Sequence, residues 1–390
     1  MNQFDDIRPY RDSEVPETLD RLIADNEFID LLLSRKMLGL MGFMPWVIKP
    51  IGRLLLRRSL QKLAIQVKSV EDLQFHMTSS LKNILDKTTD GYSFGGLDQL
   101  DANKSYLFIS NHRDIALDPA MVNLALRTVE LDTVRIAIGD NLLKKPFASD
   151  LMRINRSFIV KRSATGRREK LDALKTLSSY IRHSIVDEKV SCWIAQAEGR
   201  AKDGNDRTET ALLKMLTLSK SKQQTFAGAI SQLQLMPVAL SYEYDPCIVE
   251  KANELFAASQ GKSYVKTEFE DLDSIQKGFV GYKGRVQVNF GEPITDAFQN
   301  AEELAVEIDR QIHCLYQLFP TNILAWQMQE ERDTATVELL KQYWPNENWA
   351  EAQNKFNTHL ELMPEEQREL VTNIYAAPVI KQLAYHPSDK

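Results

Sequence analysis

Residues 106–119, with the sequence YLFISNHRDIALDP, join a short apolar run to a polar turn and a helix start. Asp118 can cap the first turn of a helix, and Pro119 suits its first position. His112 is therefore expected in the turn between a strand and a helix. In open α/β folds, sites form beyond the carboxyl ends of the strands, so this turn is a candidate site.

Short apolar runs alternate with helical segments on both sides of this stretch. The predicted strands are 106–110, 134–138, 157–160, 190–195, 235–241 and 285–290, and helical segments such as 118–127, 168–186 and 208–220 lie between them. This alternation predicts an α/β fold: a layered αβα domain with a largely parallel mixed sheet, over residues 99–298.

Helical extensions are predicted at both ends of the chain. In the N-terminal region, residues 1–98, segment 16–33 follows a 3.6-residue period and 54–85 is a long helix with one break. The turn-rich patch 88–96 marks a domain boundary. Residues 299–390 form a helical C-terminal extension, for which the sequence indicates no function.

Composition narrows the functional class. The 390 residues are 43% hydrophobic with a net charge of −6, which argues against a dedicated nucleic-acid binder. Three cysteines without paired spacing fit a reducing compartment, and the acidic N-terminus does not read as a secretory signal. The six histidines lack metal-ligand spacing, so no metal is expected.

His112 is the candidate for acid–base chemistry. A neutral imidazole can take a proton from an alcohol, and a carboxylate on its other ring nitrogen fixes the tautomer. Asp118 is the first choice for that carboxylate and Asp114 the second. The spacing alone also fits an ordinary loop histidine beside a helix cap.

The stretch NHRDIALDP resembles the first motif of the glycerolphosphate/1-acylglycerol-3-phosphate acyltransferase (PlsC-like) family, Asn-His-x4-Asp. Here five residues, not four, separate His112 from Asp118. The resemblance implies that His112 is the catalytic base and that Asp118, or Asp114, orients it.

Two later stretches resemble phosphate-binding motifs of the same family. Residues 157–162 (SFIVKR) look like the second motif, which implies that Arg162, with Lys161 beside it, holds the acceptor's phosphate. Glu198-Gly199-Arg200 resembles the third motif without the residue usually found between Gly and Arg. Segments 235–243 and 286–294 resemble the fourth motif and a closing strand, so the resemblance covers about residues 100–295.

The resemblance implies acyl transfer from acyl-CoA or acyl-ACP to a hydroxyl of a glycerophospholipid precursor, lysophosphatidate or glycerol 3-phosphate. The thioester is a co-substrate, and no cofactor is expected. Two alternatives stay open: another acceptor, such as a lyso-phospholipid or aminoacyl lipid, or a non-catalytic membrane-bound family member.

A basic, apolar segment at residues 35–68 is predicted to face a membrane. No acidic residue lies between Asp30 and Glu71, and residues 37–48 are apolar but too short to span a bilayer. Apolar groups flanked by cations are typical of an interfacial anchor. We expect a cytoplasmic protein on the inner face of the membrane; a helical hairpin packed inside the protein is the alternative.

Overall fold

The computed structural model describes residues 3–37, 45–264, 270–329 and 333–385, with the side chains of 34–48 outside that description. The chain divides into two compact units. The first comprises residues 1–80 and 134–180, and the second comprises residues 81–133 and 181–390.

The described strands and helices follow the chain in this order. The strands are β1 (Gly91–Gly95), β2 (Leu107–Ser110), β3 (Arg135–Gly139), β4 (Ser157–Val160), β5 (Cys192–Ala195), β6 (Leu235–Tyr242) and β7 (Arg285–Phe290). The helices are α1 (Val15–Ala24), α2 (Asn26–Met37), α3 (Pro45–Gln66), α4 (Val70–Thr88), α5 (Leu117–Thr128), α6 (Pro146–Ile154), α7 (Arg167–Arg182), α8 (Thr210–Leu216), α9 (Phe226–Ser231), α10 (Ile248–Ser259), α11 (Glu270–Val280), α12 (Ala301–Leu315), α13 (Pro320–Gln327), α14 (Thr334–Lys341), α15 (Trp349–Leu360) and α16 (Glu365–Tyr385).

The sheet is mixed and mostly parallel. In the second unit the strand order is β1-β7-β6-β2-β5, and only the β6–β7 pair among these is antiparallel in the described chain. In the first unit β3 pairs with β4 in parallel. The predicted α/β fold, with a largely parallel mixed sheet and helical extensions, is confirmed.

Burial explains why the central strands were visible in the sequence. All residues of β2 and β6 are buried, as expected for strands covered on both faces, which read as continuous apolar runs. Strand β7 instead alternates between buried and half-buried residues. Successive side chains of a strand point to opposite faces of the sheet. A strand buried on both faces is therefore apolar throughout, and a strand buried on one face alternates.

The turn predicted at 88–96 contains a strand, β1. Its sequence, GYSFG, has glycine at both ends, which is typical of a turn, but the segment pairs in parallel with β7. Gly96, just beyond it, has a φ of +72°, and a Cβ there would meet the carbonyl oxygen of Phe290. The sequence therefore indicated the turn residue correctly and missed the edge strand beside it.

The predicted break in the helix over 54–85 lies between α3 and α4. The Ser69 hydroxyl accepts a hydrogen bond from the Asp72 amide (3.1 Å), and the Asp72 carboxylate accepts from the Ser69 amide (2.9 Å). This reciprocal pair satisfies two amides that a helix start would otherwise leave unbonded. A new helix therefore begins at Val70.

The basic, apolar segment is described in part. Residues 38–44 lie outside the described chain, and no helix within the described ranges is long and apolar enough to cross a bilayer. In α3, Lys49 and Arg53 form ion pairs with Asp30 (2.8 and 2.6 Å). Leu54 and Leu55 of the same helix are 51% and 60% exposed.

The C-terminal helices share one apolar core with the α/β part of the second unit. Phe356 of α15 and Val379 of α16 are fully buried in a cluster that also contains Ile248 and Ala252 of α10. The Asp245 amide, just before α10, donates to the Tyr375 hydroxyl of α16 (2.9 Å). These contacts give the C-terminal extension a structural role in holding α10.

Candidate active site

Asn111 fixes the start of the candidate site. It follows directly on β2, and its side-chain amide both accepts from the Leu240 backbone N–H (2.8 Å) and donates to the Leu240 carbonyl (2.9 Å). The side chain thereby continues the pairing of β2 with β6 beyond the last backbone rung. The position of the following residue, His112, is set by this clamp.

His112 and Asp118 form a hydrogen-bonded pair. His112 Nδ1 lies 2.9 Å from Asp118 Oδ2, with Asp118 fully buried and His112 14% exposed. Asp118 Oδ2 also accepts from the backbone amides of Arg113 (2.7 Å) and Asp114 (2.9 Å). The other carboxylate oxygen, Oδ1, accepts from the Tyr242 hydroxyl (2.9 Å). Donors from two separate segments thus surround this buried carboxylate.

Asp114 caps helix α5, a role that the sequence had indicated for Asp118. Its Oδ1 accepts from the amides of Ala116 (3.0 Å) and Leu117 (2.8 Å), and the helix begins at Leu117. Asp118 is the second residue of the helix, and its carboxylate turns back over the loop. The expectation of Asp118 as the cap is therefore wrong, because the longer loop places Asp114 where a cap is needed.

The second oxygen of Asp114 is buried and has no hydrogen-bond partner among the described residues. Gly278 of α11 packs against it so closely that a Cβ there would lie 2.0 Å from Asp114 Oδ2. Burial, together with repulsion from Asp118, raises the pKa of Asp114 to about 6. Within the described part of the chain, Asp114 accepts hydrogen bonds only from backbone amides of its own loop and helix, whereas Asp118 contacts the imidazole.

The loop that contains Glu198, Gly199 and Arg200 lies next to the His112 backbone. Strand β5 pairs with β2, and the Ala201 amide donates to the His112 carbonyl (2.9 Å). Gly199 has a φ of +83°, a left-handed conformation that favours glycine. Arg200 Nη2 lies 3.4 Å from the Ser274 hydroxyl, while its buried Nη1 has no hydrogen-bond partner in the ranges that the structure describes. The structure thus brings the first and third motifs together.

Arg162 and Lys161 belong to the first compact unit, where they follow β4. The Arg162 amide donates to Asp140 (3.1 Å), and Lys161 forms an ion pair with Asp6. Both side chains are exposed. Their expected role in holding the acceptor's phosphate remains a proposal.

Sequence reasoning missed several residues that support the site. Trp193 of β5 donates to the Ser110 hydroxyl (3.0 Å), and its ring meets the His112 ring edge-on at 6.0 Å. The buried Arg113 guanidinium pairs with Asp206 (2.5 Å), which ties the loop between His112 and Asp118 to the segment after Arg200. These contacts join residues far apart in sequence, so no local spacing marks them.

Comparison with known proteins identifies the domain that carries this site. The Acyltransferase family model matches residues 92–239, a range that contains the matched positions of the first three motifs. This region therefore matches the acyltransferase family. The family resemblance seen in the sequence is thereby confirmed for residues 92–239.

Other comparisons add little to this assignment. The search of curated proteins found no match. Among solved structures, the chain is similar to the crystal structure of the 1-acyl-sn-glycerophosphate (LPA) acyltransferase PlsC from Thermotoga maritima, at 12% identity and a TM-score of 0.37, covering 72% of this chain and 92% of that one. A likeness this low carries no argument about the substrate.

Replacing Asp114 with Asn should change how stability depends on pH. Because the pKa of Asp114 is raised in the folded protein, the native state favours the protonated carboxyl. The stability that this protonated carboxyl contributes is complete below about pH 4 and is lost as the pH rises through about 6. Between pH 4.5 and 7.5, the wild type should lose about 2 kcal/mol of unfolding free energy relative to Asp114→Asn. Urea denaturation at the two pH values measures this difference.

The control for this experiment is Asp98→Asn, which changes an exposed carboxylate. It should follow the wild-type pH dependence. Parallel stability curves for wild type and Asp114→Asn would show that Asp114 does not prefer its protonated form in the folded protein.

Proposed function

We propose that the chain transfers a fatty acyl group from acyl-CoA or acyl-ACP to a hydroxyl of a glycerophospholipid precursor, lysophosphatidate or glycerol 3-phosphate. The contact between His112 Nδ1 and Asp118 Oδ2 (2.9 Å), inside an acyltransferase-family domain, carries this proposal. Residues 99–298 form the part of the chain that performs the reaction.

The ionised Asp118 carboxylate can only accept hydrogen bonds, so the imidazole proton belongs on Nδ1. Nε2 then carries the lone pair and takes the proton of the acceptor hydroxyl as its oxygen attacks the thioester carbon. The resulting imidazolium is stabilised by Asp118. When the tetrahedral intermediate collapses, the C–S bond breaks and the proton passes from Nε2 to the leaving thiolate. No covalent enzyme intermediate is required.

Arginine side chains supply the positive charge for a phosphate-bearing acceptor. Arg200 is the strongest candidate near the histidine. Its buried Nη1 has no hydrogen-bond partner among the residues described, and its loop contacts the His112 backbone. A guanidinium can bind phosphate through two parallel hydrogen bonds. The exposed Glu198 and Gly199 of the same loop would border the acceptor. For Arg162 and Lys161, the family resemblance alone supports a role in phosphate binding.

The acceptor and the base are tested together with labelled palmitoyl-CoA and palmitoyl-ACP as donors. Lysophosphatidate, glycerol 3-phosphate and a neutral-headgroup lyso-phospholipid are offered to wild type, His112→Ala and Arg200→Ala. We expect turnover on a phosphate monoester acceptor, with a loss of about 10³-fold or more in His112→Ala. Arg200→Ala should raise KM for that acceptor by about ten- to 100-fold, because it loses a bidentate phosphate contact.

A matched control is His183→Ala. His183 also places Nδ1 next to a carboxylate, Asp187 Oδ2 at 2.8 Å, but this pair lies in an exposed helical turn. The control should keep wild-type turnover. Equal activity in wild type and His112→Ala would refute the role of His112 as the base. Preferred turnover of the neutral-headgroup lipid would refute the proposed acceptor class. No turnover with either donor would favour a non-catalytic lipid binder.

The same proposal places the protein on the inner face of the membrane, in the cytoplasm. Exposed Ile51, Leu54 and Leu55 form an apolar stripe on α3, and exposed Arg58 and Lys62 follow on the same helix. The first compact unit carries 22 basic and 15 acidic residues, although the whole chain is acidic. Apolar side chains beside cations suit an anionic lipid surface.

Replacing both leucines, Leu54→Glu/Leu55→Glu, should weaken co-sedimentation with phosphatidylglycerol-containing vesicles at least about tenfold, because two apolar side chains no longer leave water. Leu339→Glu changes an equally exposed leucine on α14 and serves as the control. Unchanged sedimentation of the double variant would favour the helical hairpin packed inside the protein.

A further inference from the structure

Tyr242 is a residue of the site to which none of the motifs assigns a role. It is the last residue of β6 and is nearly fully buried. Its hydroxyl donates to Asp118 Oδ1 at 2.9 Å, while Asp118 Oδ2 receives the contacts from His112 and the loop amides. The two oxygens of one carboxylate thus have separate sets of partners, one for each side.

The position of this hydroxyl is set by rigid backbone. Asn111 bonds to both backbone groups of Leu240, two residues before Tyr242. On the other side, β6 is held in antiparallel register with β7, with Tyr242 opposite Val286. A group on a strand held from both sides is positioned more exactly than a group on a loop. The tyrosine hydroxyl is therefore a hydrogen-bond donor in a fixed position beside the Asp118 carboxylate.

In the hydrogen bond between Tyr242 and Asp118, the tyrosine hydroxyl is the donor and the carboxylate is the acceptor. Burial and the nearby Asp118 and Asp114 carboxylates raise the pKa of Tyr242 well above its ordinary value, so its hydroxyl keeps its proton and donates it. A fully buried carboxylate needs a donor at each oxygen, because an unsatisfied charged group is costly away from water. Without the hydroxyl, Oδ1 would have to find another donor, and rotation of the carboxylate would move Oδ2 away from the imidazole.

We infer that Tyr242 is a positioning residue for the acyl transfer proposed above, holding the Asp118 carboxylate so that Oδ2 stays on His112 Nδ1. The inference rests on the proposed function, but the positioning itself is a property of the free protein. Tyr242 need not touch either substrate. It acts through Asp118, and its removal therefore affects turnover rather than substrate binding.

The test is Tyr242→Phe, which removes only the hydroxyl. We expect kcat to fall by about ten- to 100-fold while KM for donor and acceptor changes less than about twofold, since misplacing a catalytic group slows the chemical step. In Asp118→Asn/Tyr242→Phe, the second change should cause no further loss, because both act through one carboxylate. The control is Tyr10→Phe, which removes another tyrosine–aspartate hydrogen bond (Tyr10 to Asp150, 2.7 Å) in the first unit.

An activity-independent measurement separates this inference from the proposed reaction. The proton on His112 Nδ1, assigned by its absence in His112→Ala, should give a downfield proton resonance in wild type and in Tyr10→Phe. The resonance should shift upfield or broaden in Tyr242→Phe. A wild type without turnover would refute the proposed function and leave this comparison intact.

Two results would overturn the inference. One is a Tyr242→Phe protein with the kcat and the Nδ1 resonance of Tyr10→Phe, which would make the hydroxyl a structural feature only. The other is a loss in the double variant equal to the product of the two single losses, which would mean that Tyr242 does not act through Asp118.

Discussion

The buried carboxylate of Asp118 is the constraint on which the rest of the site depends. It is fully buried and receives donors from His112, from two loop amides and from Tyr242. A charge removed from water is tolerated only when such donors replace its hydration. Satisfying Asp118 therefore dictates the shape of the loop, the orientation of the imidazole and the position of the end of β6.

The same constraint explains how the loop accommodates five residues between His112 and Asp118, one more than in the family motif. The longer loop still directs two amides at the carboxylate, and Asp114 takes over the capping of α5. The loop is further held from outside, since the buried Lys251 donates to the Arg113 carbonyl (2.8 Å) and Arg113 pairs with Asp206. Removing one partner of such a buried pair typically costs about 3–5 kcal/mol. The insertion is thus built into a rigid, charge-balanced frame.

Much of the fold could be predicted from the sequence because its signals are local. Strands β4 and β7 were predicted to the residue, since an apolar run and a clean alternation both reflect burial directly. The edge strand β1 was not predicted, because glycine at both ends of its five residues is typical of a turn. Its pairing with β7 is a contact between distant segments, which the local sequence does not show. Of the candidate site, His112, Asp118 and Arg200 were predicted from single segments that resemble motifs of the family. Tyr242 and Asp206 were missed because they reach the loop from distant segments, through contacts that only the folded chain creates.

The central claim is that Asp118 fixes the His112 imidazole with its proton on Nδ1 and its lone pair on Nε2. Long-range proton–nitrogen correlation spectra of the ¹⁵N-histidine-labelled protein, with His112 assigned from His112→Ala, report which ring nitrogen carries the proton. The account predicts a protonated Nδ1 and an unprotonated Nε2 in the neutral ring. A neutral His112 with its proton on Nε2 would contradict it, because that ring could not accept a proton from a hydroxyl while bonded to Asp118 in the observed geometry.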